Sequence, residues 1–250
     1  MEEWILPHWP LRDVVGALTT TREGGVSKGP YAAFNLAAHV GDENDSVTEN
    51  RRRLGCAIDC DAIQWLEQIH GIDCIHAGSD TLAHVPVADA MWTDEPGIAL
   101  AVLTADCLPV VIAERGGRAV ALAHAGWRGL LAGVLQQAIT AFPYAARRCV
   151  AWIGPAIGQN VYEVGEDVAS IVRQKLPVAA ATTAILRASE PPGKYQLDLS
   201  GLARQQLESV GVREVYCAET CTFRTSQLYS YRRDGVTGRM ATVAWIPKTG

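Results

Sequence analysis

Apolar positions are densest in the middle of the chain. Residues 98–103 form an unbroken apolar run, which predicts a strand buried on both faces. A second run covers 108–113. After the turn at Glu114-Arg115-Gly116-Gly117 a third covers 119–123. The spacing then changes. Leu130, Leu131, Val134, Leu135, Ala138 and Ile139 recur with helical period, so a helix is expected from about 127. A short strand is predicted at 149–153, stopped by Gly154-Pro155. The last third repeats the alternation, with helices at 166–176 and 200–210, Gly211 as a stop, and strands at 214–217 and 240–246. The first third is irregular and polar. Within it, Ser46 followed three residues later by Glu49 has the form of a capping box and predicts a helix through about Leu54. Strands and helices in this mixed order suggest an α/β or α+β layered fold. The order does not fix the topology, and 250 residues suit one large domain or two fused halves.

Composition narrows the function. The chain is 48% hydrophobic and 20% charged, as expected of a soluble protein with a real core. A formal net charge of -5 and the lack of a basic stripe argue against a nucleic-acid partner. A small anionic substrate stays compatible, because local arginines make a positive pocket on an acidic protein. Residues 1–13 lack the basic start and apolar run of a secretory signal. Asp106, Glu114, Arg115 and Arg118 interrupt the longest apolar stretches, so no membrane span is expected. Seven scattered cysteines fit reduced thiols in a cytoplasm. Cys56/Cys60 and Cys217/Cys221 read as structural or incidental.

Three short segments concentrate chemistry: Gln68 to Gly71 around His70, Thr104 to Pro109 around Cys107, and His124 to Gly129. Cys107 falls between two predicted strands and His124 ends the next. Both sit at chain reversals, where side chains reach a cleft from a rigid sheet. Two imidazoles and a thiolate suit a borderline-soft metal, zinc above all, and three protein ligands leave a fourth position open. Taken singly, a core cysteine is usually inert packing and a lone histidine is usually just hydrogen-bonded. Arginines form a second constellation. Arg22 lies in a glycine-bounded loop, Arg128 begins a predicted helix, and Arg232, Arg233 and Arg239 lie in the segment 229–239. Guanidinium groups match phosphate or carboxylate. Arg51 to Arg53 fall on an ordinary helix and read as a solvated face.

These segments together carry a resemblance. QIHG, TADCLPVVI, AHAGWRGLLAG, IGPAIG followed by YEVG, and SYRRDGVTGRMA look like the YfiH family, also called the laccase-domain or multicopper polyphenol oxidoreductase family. TTREGGVSKGPYAAFNLAAHVGD and ENRRRL match its N-terminal pattern, so the resemblance covers nearly the whole chain. It implies one YfiH-like domain over 1–250, folded as a layered α/β/β/α sandwich with mixed sheets. It implies a metal, zinc or else copper, held by His70, Cys107 and His124. It also implies purine nucleoside chemistry: phosphorolysis of adenosine, inosine, guanosine and methylthioadenosine, and adenosine deamination. The partners would then be a nucleoside and phosphate. Arg22, Asp106, Arg128 and Arg232 fall on matching motif positions. Arg22 and Arg232 are candidates for binding, Asp106 and Arg128 for catalysis beside Cys107 and His124. One departure is Trp92, where the family more often has a glycine just before, which bears on substrate preference.

Three other readings stay open at this level. Copper-dependent phenol oxidation would need more histidines than the six present, of which His8, His76 and His84 lie outside the motifs. A metal-free cysteine hydrolase acting on cell-wall precursors would use Cys107 as nucleophile and His124 as base. A non-catalytic role fits the cleft constellation least. The usual nucleobase-deaminase signature is absent, so deamination would use a different arrangement. Trp127 and Trp92 are candidates for stacking on a purine.

Overall fold

The computed structural model of the chain describes residues 4–58, 60–176 and 183–248. The first three residues of the N-terminal stretch lie outside that range.

Two mixed sheets lie face to face. The first has the order β1 (Gly16–Thr19), β13 (Met240–Trp245), β5 (Ile98–Thr104), β2 (Ala62–Gln64). The second has the order β12 (Glu214–Cys217), β8 (Cys149–Ile153), β6 (Leu108–Glu114), β7 (Val120–Ala125), β4 (Ala90–Thr93), β3 (Cys74–His76). Alternate residues of β5 show the layering. Leu100 and Val102 pack with Val111, Leu122 and Trp152 of the second sheet. Ala99, Ala101 and Leu103 turn to the opposite side and meet Phe34, Leu36 and Leu54. Leu54 belongs to α1 (Asn44–Ala57), which covers the first sheet's outer face. The second sheet's outer face is covered by α2 (Trp127–Ala132), α3 (Val134–Ala141), α4 (Glu166–Lys175) and α5 (Leu199–Ser209), whose apolar residues join Val110, Ile112 and Ala121. The order is helix, sheet, sheet, helices, as the layered α/β/β/α expectation requires. Strands buried on both faces read as unbroken apolar runs for this reason.

The local differences have physical causes. Helix α1 begins at Asn44, so Ser46 lies inside its first turn, and no side chain caps its start. Its buried stripe, Val47, Asn50 and Leu54, sets its extent. Asn50 donates to the Ser27 hydroxyl and to the carbonyls of Ala33 and Asn35, tying the irregular first third to the helix. The predicted helix from 127 divides in two at Gly133, whose φ of 105° only glycine adopts without strain. Helix α5 starts at Leu199, where the Asp198 carboxylate accepts the Gly201 N–H at 2.9 Å. A small sheet of β10 (Leu186–Ser189), β11 (Lys194–Leu197) and β9 (Glu163–Gly165) was not predicted, because strands of three or four partly polar residues carry little periodic signal.

Glu114 ends β6 and holds the turn into β7. Its buried carboxylate accepts from the Gly116 N–H at 2.8 Å, from Arg118 at 3.0 and 3.2 Å, and from Arg148 at 2.9 Å. The Arg118 hydrogen bond is the largest influence, and these partners together hold the carboxyl at about 2 against an ordinary 4.5. A depressed carboxylate contributes stability that is fully present above its unfolded value. That contribution disappears as pH falls from about 4.5 towards 2. Glu114→Gln is therefore expected to cost about 2 kcal/mol at pH 7, moderated by the half-exposed arginines. Urea unfolding at pH 7 and near pH 2.5 checks this. A difference unchanged between the two would show that packing, not charge, is responsible.

Candidate metal centre

The site forms where the two sheets exchange chain. β5 lies in the first sheet and β6 in the second, so residues 105–107 cross between layers in three residues. Asp106 takes a φ of 95° to make that crossing. Among the described residues, Asp106 and His70 (φ 61°) are the two non-glycine positions with positive φ, and both belong to this site. The Asp106 carboxylate fixes the crossing by accepting from the Thr222 hydroxyl at 2.6 Å and the Arg232 backbone N–H at 2.7 Å. Cys107 then projects beside β7, where His124 pairs with Pro109.

His70 arrives on the loop between β2 and β3. Gln68 anchors that loop by clamping Leu103 of β5. Its amide donates to the Leu103 carbonyl at 2.9 Å and accepts the Leu103 N–H at 2.7 Å. The buried carboxylate of Asp89 does the rest. It accepts the backbone N–H groups of Ile69, His70 and Gly71 at 3.1, 3.0 and 2.6 Å. It also lies 2.7 Å from His124 Nδ1. One carboxylate thus sets both histidines. Burial pushes the Asp89 carboxyl up, but the His124 and backbone hydrogen bonds outweigh it and hold it low. An ionised carboxylate only accepts, so His124 Nδ1 carries the proton and Nε2 is left to bind a metal.

The ligand atoms of His70, Cys107 and His124 all lie within 4.8 Å of one another. The two imidazole rings meet edge to face, 4.8 Å between centroids. His70 is exposed, Cys107 half-buried and His124 buried, so the cluster meets solvent on the His70 side. Burial raises the Cys107 thiol, and hydrogen bonds and charge from His124 and His70 overcome it, leaving it at about 6. Burial lowers His124, but Asp89 and Cys107 bring it up to about 9. A thiolate between two imidazoles, with a backing carboxylate, is a donor set that fits one borderline-soft cation. Gly126 confirms how tightly the group is packed. A Cβ there would lie 3.0 Å from Cys107 Sγ and 3.1 Å from His70 Cδ2.

This geometry agrees with the comparisons. Residues 16–247 match the family model described as multi-copper polyphenol oxidoreductase laccase. The chain belongs to that family. A Shigella flexneri protein named purine nucleoside phosphorylase YfiH is 43% identical, over 98% of this chain and all of that one. A Pseudomonas aeruginosa purine nucleoside phosphorylase is 40% identical, over 98% of this chain and 99% of its own. Among solved structures, a Neisseria meningitidis family member superposes with a TM-score of 0.93 at 40% identity, covering 99% of this chain and 100% of its own. YlmD from Geobacillus stearothermophilus superposes with a TM-score of 0.90 at 35% identity, covering 98% and 96%.

In this laccase-family chain the remaining sequence candidates stand apart from the cleft over the three ligands. Arg22 donates to the Ala32 carbonyl and lies over the Tyr229 ring. Arg128 lies over Trp127. Arg232 lies over Tyr162 and donates to the Glu163 carbonyl. Both oxygens of Asp106 are taken by Thr222 and Arg232, and Asp106 does not line the cleft. Trp92 packs on His76 and Phe142, and neither it nor Trp127 lines the cleft. The cleft, about 380 Å³, is bounded instead by His39, Gln68, Thr104, Tyr231 and Arg239 beside the ligands. All five lie in the motif segments, and Arg239 also belongs to the arginine constellation. Asp89 carried no signal, being one acid among small residues before a short strand. Among the described residues, no helix is long and apolar enough to cross a membrane.

Proposed function

We propose that the chain is a zinc-dependent purine nucleoside enzyme. It would phosphorolyse adenosine, inosine, guanosine and methylthioadenosine and deaminate adenosine. The observation that carries this reading is the convergence of His70, Cys107 and His124 at the floor of a cleft of about 380 Å³, open on the His70 side. That volume is in the range of small-molecule sites. The relatives named purine nucleoside phosphorylase, similar over their full length, give the substrate class. Zinc, when bound by these three residues, supplies Lewis acidity at an open position.

The chain's own groups supply the rest. Asp89 holds His124 in one tautomer and the His70 loop in one conformation, so the floor is preorganised. Tyr231, 62% exposed at the mouth, offers a ring face on which a purine stacks. Arg239 brings positive charge to the same wall. Phosphorolysis breaks the N-glycosidic bond, joins C1′ to a phosphate oxygen, and returns a proton to the departing purine. Deamination exchanges the 6-amino group for a water oxygen and releases ammonia.

The copper reading has one point against it. His70, Cys107 and His124 are the one group of three or more His, Cys, Asp or Glu ligands among the described residues. A multi-copper assembly needs more than one such group.

Product analysis of adenosine with zinc-loaded protein tests the proposal. Adenine formed only when phosphate is present is the phosphorolysis result, and inosine in either buffer is the deamination result. Neither product, from folded and zinc-loaded protein, sinks it.

A further inference from the structure

The run Arg51-Arg52-Arg53 divides in two. Arg52 and Arg53 pair with Glu49 at 2.7 and 2.9 Å. Arg51 turns the other way, donates through Nε to the Leu36 carbonyl at 2.9 Å, and lies over the Trp65 ring at 4.0 Å. Arg239, half-buried in the cleft wall, donates through Nη1 to the carbonyls of Thr237 and Gly238 at 2.8 and 3.0 Å. Among the described residues neither has a carboxylate within salt-bridge distance. Each guanidinium is held by one edge and keeps N–H groups free for a bidentate contact. His39 lines the same cleft. Burial, then the charge of Arg239 on the same wall and that of Arg51 outside it, push its imidazole down. The acids that act most on Arg239 are Cys107, which belongs to the metal centre, and then Asp106, whose oxygens Thr222 and Arg232 already occupy. Thr104 lines the cleft as well, with a buried hydroxyl that has no partner.

A guanidinium in a partly desolvated cleft, beside a buried hydroxyl without a partner, is stabilised by an anion that both can reach. We infer that Arg239, His39 and the Thr104 hydroxyl form an oxyanion subsite in the wall of the metal cleft, with Arg51 outside the lining adding positive charge behind His39, and that its ligand is inorganic phosphate. The inference rests on the phosphorolysis reading for the use of the site, though not for its existence. It differs from what the motifs suggested. Arg128 and Arg232 are exposed and gather around Tyr162, outside the cleft lining. Arg22 is spent on Ala32 and Tyr229.

The test uses zinc-loaded full chain and two readouts. In the first, ³¹P line broadening of inorganic phosphate is titrated without nucleoside. In the second, KM for phosphate and KM for inosine are measured separately. Arg239→Gln is expected to raise the phosphate constants by about tenfold or more, and Arg51→Gln by a smaller factor, while the inosine KM changes little. Arg239→Lys should recover part of the loss. Arg52→Gln, which removes contacts to Glu49 and Cys56 along the same helix, should leave both constants unchanged. Unchanged phosphate constants in the Arg239 and Arg51 variants overturn the inference, as does a phosphate defect found instead in Arg128→Gln or Arg232→Gln. If wild type broadens phosphate in an Arg239-dependent way yet makes no purine base, the subsite stands and the phosphorolysis reading falls. If adenosine 5′-phosphate competes through Arg239 and free phosphate does not bind, the subsite belongs to a substrate's own phosphate and the assignment is overturned.

Discussion

Cys107→Ala is expected to abolish turnover and to lower bound zinc well below one ion per chain, with the fold retained. The thiol sits at the crossing between sheets and makes its polar contacts to His70 and His124, not to the core. Its loss therefore removes a ligand without opening a large cavity, at a stability cost of about 1–2 kcal/mol in the metal-free protein. Zinc held by two imidazoles alone loses its thiolate, the donor that contributes most charge. Metal content after dialysis, a thermal melt and adenosine turnover, measured together, check the prediction. Full activity in the alanine variant would remove Cys107 from the metal centre. The same variant separates the cysteine-hydrolase reading. A thiol held at about 6 reacts readily with alkylators when no metal covers it. Zinc should protect Cys107 from iodoacetamide. Rapid inactivation of zinc-loaded protein, with chelators harmless to activity, would favour the nucleophile.

What the sequence revealed follows from what each layer demands. The strands β5, β6, β7 and β8 sit between two layers and must be apolar on both faces, so their residues announced them. The ligands were legible because Cys107 falls between two apolar runs, His124 ends the next, and His70 and His124 stand close to glycines. The short strands β2, β3 and β4 were not, being three or four residues long and defined by partners elsewhere along the chain. The cleft wall was hidden for a related reason. His39, Gln68 and Tyr231 reach one cavity from separate loops and a helix, and no spacing in one dimension encodes that meeting. Arg51 shows the limit most clearly. Its neighbours Arg52 and Arg53 are the solvated face that the run suggested, while Arg51 itself turns inward onto Trp65. Asp106 illustrates the converse. The family motif made it a candidate for catalysis, and in the structure its carboxylate ties the sheet crossing to the Thr222 hydroxyl and the backbone of Arg232.

Asp89 is where site and fold meet, and its two variants should behave differently. Asp89→Ala leaves four donors without their acceptor: the N–H groups of Ile69, His70 and Gly71, and His124 Nδ1–H. Asp89 is fully buried, so water reaches few of these donors cheaply. The expected cost is about 3–5 kcal/mol, the range for removing one partner of a buried charged network. For a chain of this length that lowers the melting temperature by roughly 8–15 °C, and the strained His70 loop (φ 61°) loses what holds it. Asp89→Asn should be milder for the fold, because its carbonyl oxygen still accepts from the loop N–H groups. Its amide N–H₂, however, can then face His124 Nδ1, which becomes the acceptor and shifts the proton to Nε2. A protonated Nε2 binds no metal. The asparagine variant is therefore expected to melt within a few degrees of wild type while losing zinc and turnover. Zinc content, melting temperature and product formation for both variants decide the matter. Wild-type zinc content in Asp89→Asn would show that the carboxylate serves the loop alone and that His124 chooses its tautomer without it.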